Sequence, residues 1–203
     1  ERVTNVSSHD SQPRYWQGSQ WSSSQPLPES LQTPLGSLWK LFVYSYLTAS
    51  QAQEPPLRCE GKDRVEEAYC CDPGESLDRE QALIRSCGLY FAPARLGITQ
   101  EAWQRYWQAL RAPGWILPLA QLNEDHPVRV TDLLQALAVI PPHIRQIAGN
   151  TLSELLLQGR GKGGVGELGT LLHIKSFTMP LSTGTVGGGA GWSDNGTPLW
   201  FAG

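Results

Sequence analysis

A glycine-rich stretch at residues 159–166 divides the chain into two parts with different sequence patterns. Before this stretch, apolar residues recur at the spacing of amphipathic helices. After it, apolar and polar residues alternate in short runs that are bounded by turn residues, which is typical of strands. The stretch lacks the G-K-[ST] ending and the preceding strand of a phosphate-binding loop. It therefore predicts a turn between a helical part and a sheet, in a mixed α/β (α+β) fold.

The predicted elements follow this division. Residues 1–30 are expected to form an extended arm with a short strand near residues 14–16, and residues 31–203 a single domain. Within that domain the helical part covers about residues 36–158 and the sheet about residues 168–203. Helices are predicted at 36–50, 77–92, 99–111, 131–140 and 143–157, and the second of them runs into a turn at Gly88. Strands are predicted at 171–178, 187–192 and 197–202, with a hairpin turn at 193–196.

Composition and charge exclude some classes of protein. The 203 residues carry 16 Lys and Arg against 19 Asp and Glu, for a net charge of −3, and no basic stripe is present. Nucleic acid is therefore not an expected partner. The low share of charged residues, 17%, and the abundance of Gly, Pro, Ser, Gln and Trp favour an exported, periplasmic protein.

Four cysteines lie close together in the sequence, at Cys59, Cys70, Cys71 and Cys87. Four cysteines allow three pairings, and the sequence does not choose among them. Zinc binding is the alternative, but the chain has no C-x-x-C pair in this region. The histidines lie elsewhere, at His9, His126, His143 and His173. We therefore expect disulfides, which imply an oxidising compartment, and neither a metal nor a cofactor.

Ser37 and Lys40 open an apolar helical run and are separated by three positions. Residues at i and i+3 are neighbours on a helix surface, so this spacing can place a hydroxyl beside an amine. A desolvated lysine that remains neutral can take the serine proton and make the hydroxyl a nucleophile. The alternative is an ordinary helix start with a surface serine and a lysine that extends to solvent.

Three segments of the chain resemble the serine penicillin-recognising superfamily, which contains the penicillin-binding proteins and the serine β-lactamases. The first is Pro34-Leu-Gly-Ser-Leu-Trp-Lys-Leu-Phe-Val-Tyr44, and the second is Ala82-Leu-Ile-Arg-Ser-Cys-Gly-Leu-Tyr-Phe-Ala92. The third, residues 130–140 and 155–163, is similar to the helices and glycine turn before the K-[ST]-G motif. The compact spacing resembles class D β-lactamases. The closest resemblance is to exported bacterial proteins encoded beside α2-macroglobulin-like proteins.

Two sites compete for the K-[ST]-G motif. Ser182-Thr-Gly184 lacks the lysine, whereas Lys175-Ser-Phe177 keeps the lysine and the hydroxyl but has phenylalanine in place of glycine. We prefer the second site because it lies on the alternating strand directly after the glycine-rich stretch.

The resemblance implies an antiparallel sheet flanked by a helical subdomain, either as a fragment or as a truncated version of that fold, and an acyl-transfer activity. Ser37 is then the nucleophile, Lys40 the base and Ser86 the proton relay, while Lys175 holds the substrate carboxylate. The implied substrate is a peptidoglycan peptide or a β-lactam, and the implied protein partner is an envelope protein such as an α2-macroglobulin-like protein. The residues that the resemblance assigns to substrate binding are Gly88, Ser176, Phe177 and Thr178.

Three functions remain open from the sequence. The first is an active acyl-transferase or hydrolase of the DD-peptidase or β-lactamase type. The second is a non-catalytic descendant that binds peptidoglycan or a protein, because Gly88 stands where the superfamily has asparagine and Phe177 where it has glycine. The third is an unrelated periplasmic interaction module.

Glu124 and Asp125 are the nearby carboxylates that a deacylation step would require, although a solvated turn also explains them.

Overall fold

The computed structural model describes residues 14–17, 20–22, 27–62, 67–68, 70–157, 172–181 and 184–202. The glycine-rich stretch at 159–166 and the predicted loop residues Ser182 and Thr183 lie outside these ranges. The described residues form a mixed α+β fold, as the sequence predicts at this coarse level.

The elements are as follows in chain order. The strands are β1 (Arg14–Gln17), β2 (Gln20–Ser22), β3 (Gln32–Pro34), β4 (Leu57–Arg58), β5 (Ser76–Leu77), β6 (Pro127–Arg129), β7 (Leu172–Leu181), β8 (Gly184–Ser193) and β9 (Pro198–Ala202). The α-helices are α1 (Trp39–Ser50), α2 (Arg79–Arg85), α3 (Gly88–Phe91), α4 (Gln100–Ala109), α5 (Val130–Val139) and α6 (Pro142–Leu157). Short 3₁₀ turns cover Gly36–Leu38, Gly114–Ile116 and Leu119–Gln121. Within the described ranges, none of the helices is both long and apolar enough to cross a membrane.

The main sheet has five strands in the order β2-β1-β9-β8-β7. All neighbours are antiparallel except β1 and β9, which are parallel. The sheet therefore extends beyond the predicted range 168–203, since two short strands from the first 30 residues join it. Two smaller pairs, β3 with β6 and β4 with β5, lie outside the main sheet.

One face of the main sheet contacts the helices. On β8, the Trp192 indole donates a hydrogen bond to the Leu137 carbonyl of α5 at 3.0 Å. On β7, His173 Nδ1 lies 3.1 Å from the Gly149 carbonyl oxygen of α6. Side chains two positions apart on a strand share a face, so Lys175 points toward the helices as well.

Helix α1 occupies the centre of the helical layer. Seven of its twelve residues are buried, including Phe42, whose ring makes edge-on contacts with Trp107 and Trp115. Trp103 and Trp107, four positions apart on α4, are fully buried. They are core residues, and Trp107 packs against Phe42 in the first half of α1, the end that follows Ser37.

The segment predicted at 77–92 contains a break, but the turn predicted at Gly88 is misplaced, because the corner between α2 and α3 lies at Ser86 and Cys87 and Gly88 begins α3. Asp78 begins α2 with a capping box in which its side chain accepts from the Gln81 backbone. Ser86 ends α2 with φ of 60°, in the left-handed region, which stops the right-handed helix. The other predicted helices and the strands of β7–β9 are confirmed to within a few residues.

The cysteines form two disulfides, Cys59–Cys71 and Cys70–Cys87. The expectation of disulfides is therefore confirmed. The zinc alternative is wrong for these residues, since all four sulfurs are bonded in pairs and no thiolate remains for a metal.

Candidate active site

Ser37, Lys40 and Ser86 meet at one point of the helical layer. Lys40 Nζ lies 3.1 Å from Ser37 Oγ and 3.3 Å from Ser86 Oγ, and it donates a hydrogen bond to each. Ser37 belongs to the 3₁₀ turn before α1, Lys40 to the first turn of α1, and Ser86 to the corner between α2 and α3. Two segments that are 46 positions apart thus supply one amine with two hydroxyl partners.

The turn that carries Ser37 is held from two sides. The Gly36 amide donates to the Glu124 carbonyl at 2.8 Å, and the Leu35 amide donates to the His126 carbonyl at 2.9 Å. On the other side, a Cβ placed on Gly36 would lie 2.9 Å from Cβ of Phe177 on β7. The backbone beside the hydroxyl is therefore fixed between a loop and the sheet.

Burial differs among the three groups. Lys40 is buried, with 6% of its surface exposed, whereas Ser37 and Ser86 are half-buried and remain accessible. The Lys40 amine also lies 5.4 Å from the centre of the Trp39 ring, within the range of cation–π contacts. The amine therefore reaches the hydroxyls from inside the protein, while an incoming molecule can approach Ser37 from solvent.

Lys175 lies within electrostatic reach of this group. It is 2% exposed, and its amine donates to the Ser176 carbonyl at 2.9 Å. Burial, and after it the charge of Lys40, lower the pKa of Lys175 to about 7. The structure thus places a second amine within electrostatic reach of Lys40, and the assignment of Lys175 to a substrate carboxylate remains a prediction.

The predicted substrate-binding residues occupy different positions around the site. Gly88 begins α3 beside Lys40, whose Cε would lie 3.6 Å from a Cβ at position 88. The Phe177 ring is buried against Gly36 and Gly188. Ser176 is half-buried and Thr178 is exposed. The structure therefore brings position 88 and Phe177 to the Ser37–Lys40 pair, but the roles of these residues in binding remain predictions.

Glu124 and Asp125 lie in the loop that contacts the Ser37 turn. Both residues are exposed, and the contact with Gly36 uses the Glu124 carbonyl oxygen rather than its carboxylate. The loop therefore has a structural role at the site, and a catalytic role for either carboxylate remains a prediction.

The disulfide next to Ser86 is the part of the site that sequence reasoning missed. Cys87 directly follows Ser86, and its bridge to Cys70 connects the α2–α3 corner to the cysteine loop. The sequence shows Cys87 directly after Ser86. It does not show which cysteine bonds to Cys87, so this disulfide could not be linked to the site around Lys40.

Comparison with known proteins gives two matches. The model of a family described as "Predicted secreted protein (DUF2300)" matches residues 62–180. The chain is also 43% identical over 180 residues to the "Uncharacterized protein YfaQ" of Escherichia coli (strain K12). That alignment covers 87% of this chain and 32% of the relative, so the chain spans about a third of the relative's length.

These matches correct the superfamily assignment made from the sequence. No penicillin-binding-protein or β-lactamase family is detected, and the assignment to the serine penicillin-recognising superfamily is therefore wrong. The resemblance depended on short segments, and S-x-x-K in particular needs only one helical turn to bring its two residues together. The expectation of export is confirmed by the description of the matching family.

Proposed function

Because the chain belongs to the DUF2300 family of predicted secreted proteins, we propose that it is an exported serine acyl-transferase or hydrolase with Ser37 as its nucleophile. One observation carries this proposal: the buried Lys40 Nζ lies 3.1 Å from the half-buried Ser37 Oγ, at hydrogen-bond distance. A nucleophile within reach of a base, with the base oriented by a third group, is the arrangement that covalent catalysis requires. Here the third group is Ser86.

The first step is attack of Ser37 Oγ on a carbonyl carbon. The Oγ–H bond breaks, and its proton passes to the neutral Lys40 amine as the new C–O bond forms. Because Lys40 donates to Ser37 in the resting state, the base form requires loss of one ammonium proton and rotation of the amine. The product of attack is a tetrahedral intermediate on Ser37.

Ser86 connects Lys40 to the leaving group. Its hydroxyl lies 3.3 Å from the amine, so it can receive a proton from Lys40 and pass its own proton to the departing oxygen or nitrogen. The bond from the carbonyl carbon to that atom breaks, and an acyl ester remains on Ser37. Attack by water then gives hydrolysis, and attack by another hydroxyl or amine gives acyl transfer.

Lys175 adds a second buried amine within electrostatic reach of Lys40. Burial and the charge of Lys40 lower the pKa of Lys175 to about 7. The amine that this repulsion shifts toward the neutral form is therefore that of Lys175.

The proposed acyl donor is an ester or amide of the cell envelope. Peptidoglycan peptides and β-lactams were expected only through the superfamily resemblance, so they remain predictions that need their own tests. The same holds for an envelope partner such as an α2-macroglobulin-like protein.

Covalent labelling tests the proposal directly. The purified chain is incubated with a fluorophosphonate probe, and the adduct is located by intact mass and peptide mapping. We expect one adduct, on Ser37, formed by displacement of fluoride by Ser37 Oγ.

The control for this experiment is Ser37→Ala, with Ser30→Ala as a variant that changes an exposed serine and keeps Ser37 and Lys40. Labelling should disappear in Ser37→Ala and persist in Ser30→Ala. Equal labelling of wild type and Ser37→Ala, or no adduct on folded wild-type protein, would overturn the proposal in favour of a non-catalytic binding function.

A further inference from the structure

We infer that the Cys70–Cys87 disulfide is a positioning element that completes the site only after oxidation, by holding Ser86 against Lys40. This inference rests on the proposed function and adds a condition for its activity. It concerns the placement of Ser86, which touches the reacting groups, and assigns no catalytic role to the cysteines themselves.

Ser86 has a backbone conformation that residues other than glycine rarely adopt. Its φ of 60° lies in the left-handed region, which for a residue other than glycine costs on the order of 1 kcal/mol. Such a conformation persists when the surroundings fix it. Hydrogen bonds from the Ser86 and Cys87 amides close the end of α2, to the carbonyl oxygens of Leu83 and Ala82.

The disulfide fixes this corner from the other side. Cys87 is fully buried, and its Sγ accepts a hydrogen bond from the Tyr90 amide at 3.3 Å, which begins α3. The bond to Cys70 joins this point covalently to the cysteine loop. Arg85, the residue before Ser86, donates to the Cys70 carbonyl at 3.3 Å. The residues on both sides of Ser86 are thus attached to Cys70.

The second disulfide lies one step further from the site, because Cys71 follows Cys70 in the chain but neither Cys59 nor Cys71 is next to Ser86. Cys59–Cys71 closes a loop of similar size, with a sequence separation of 12 compared with 17 for Cys70–Cys87. It lies beside the β4–β5 pair, where the Cys59 amide donates to the Glu75 carbonyl at 3.0 Å. Its loss should therefore lower stability without moving Ser86.

Export takes the chain to a compartment in which the Cys70–Cys87 disulfide can persist. Thiols remain reduced in the cytosol, whereas disulfides persist in oxidising compartments. Thiol–disulfide exchange with a disulfide donor removes two protons and two electrons from Cys70 and Cys87 and reduces the donor to two thiols. Until that exchange the Ser86 corner lacks its covalent restraint, so the acyl-transfer site is assembled only after the chain has left the reducing compartment.

The test compares acylation rates at Ser37 with p-nitroacetanilide, whose nitrogen must be protonated to leave, followed by p-nitroaniline release and intact mass. The variants are Ser86→Ala, Cys70→Ala/Cys87→Ala and the triple variant that combines them. We expect Ser86→Ala to slow acylation by about 10²-fold, and the cysteine pair to slow it by a similar factor. The triple variant should be no slower than Ser86→Ala, because both changes act through the same hydroxyl.

Cys59→Ala/Cys71→Ala is the matched control, and thermal unfolding is measured on every variant. This control should lose stability yet acylate within about twofold of wild type, because its disulfide is not expected to be coupled to the position of Ser86. Multiplied losses in the triple variant, or an equal loss of rate in the control, would show a merely structural bridge and overturn the inference.

Two further outcomes separate the inference from the proposed function. Ser86→Ala keeps both disulfides, so it remains informative if the cysteine pair variant does not fold. If Ser86→Ala acylates at the wild-type rate, the bridge cannot act through Ser86, and the inference is overturned while Ser37 catalysis stands. If folded wild type shows no acylation at Ser37, both the proposed function and the inference that rests on it are wrong.

Discussion

Gly36 and Gly88 both lie beside the Ser37–Lys40 pair, and the structure gives them different roles. Gly36 has φ of +50°, and its missing Cβ leaves room for the Phe177 side chain. At Gly88 a Cβ would make ordinary contacts, 3.6 Å from Lys40 Cε and 3.8 Å from Trp39 Cζ2. The fold therefore requires glycine at position 36, whereas position 88 tolerates a methyl group.

Alanine substitutions separate backbone strain from steric contact. Gly36→Ala should lower the free energy of unfolding by about 3 kcal/mol, since strain of 1–2 and overpacking of 1–3 kcal/mol combine. Gly97→Ala, at φ of +62° with nothing within 4 Å, carries the strain alone and should cost about 1 kcal/mol. Gly88→Ala should be neutral or stabilising. Urea unfolding measures all three, and equal losses at positions 36 and 97 would contradict the Phe177 contact.

Lys175 gives the protein a pH-dependent stability. Its pKa is about 7 in the folded state, whereas an unfolded lysine titrates near 10.4. Between these values the unfolded chain binds more protons, so stability rises with pH. Below about pH 7 the cost of charging the buried amine is present in full, as both states are then protonated.

Lys175→Met should remove this dependence while keeping the bulk of the side chain. The free energy of unfolding of wild type should rise relative to the variant by about 1.4 kcal/mol per unit between about pH 7 and pH 9. Urea titrations at four pH values in this window measure the difference. A constant difference between the two proteins across the window would show that Lys175 keeps its ordinary pKa.

At the scale of elements, a buried ion pair orients the two helices that carry the Ser86 corner. Arg79, at the start of α2, forms two hydrogen bonds with Glu54, at 2.6 and 2.7 Å. Tyr90 of α3 donates to the same carboxylate at 3.0 Å. Burial alone would raise the pKa of Glu54, but the hydrogen bond and charge of Arg79 outweigh it and hold the pKa below its usual value.

Glu54→Gln should weaken this arrangement. The substitution leaves the Arg79 guanidinium, 17% exposed, without its carboxylate, and it should cost about 2–3 kcal/mol, below the range for fully buried pairs. Glu60→Gln is the matched control, because Glu60 forms an exposed ion pair with Lys62 that should contribute little. Chemical denaturation of both variants measures the effect, and equal stability of the two would contradict a structural role for the Glu54 pair.

Elements with a strong local signal were predictable from the sequence. Thr99 is the expected N-cap of α4, and its hydroxyl accepts from the Ala102 amide. The turn between β8 and β9 ends at Gly196, whose φ of +79° suits glycine. The break in the segment 77–92 was predicted at Gly88, but the helix already ends at Ser86, where a serine in the left-handed region gives no local sequence signal. Its position depends on Cys70 and Lys40, which are distant in sequence.

At the scale of the whole molecule, long-range pairing limited what the sequence could show. The parallel pair of β1 and β9 joins residues near opposite ends of the chain, and neither strand specifies the other by its own pattern. The Ser37–Lys40 contact was foreseeable because one helical turn produces it. The Lys40–Ser86 contact instead requires the packing of α1 against α2 and α3.

The family assignment failed for a related reason. Each short segment that suggested the penicillin-recognising superfamily describes a local arrangement, such as a hydroxyl and an amine on one helical turn. Family membership is shown instead by the match over residues 62–180. The chemistry of the site must therefore be argued from its own atoms, and not from the substrates of a superfamily to which the chain does not belong.

The most direct test of the central claim, that Lys40 activates Ser37, is the fluorophosphonate labelling rate of Lys40→Met. This substitution removes the amine and keeps most of the side-chain volume, and Lys62→Met serves as an exposed lysine control. We predict that Lys40→Met labels about 10²–10⁴-fold more slowly than wild type, the range for loss of a general base, while Lys62→Met labels normally. Wild-type labelling of Ser37 in folded Lys40→Met would contradict the account.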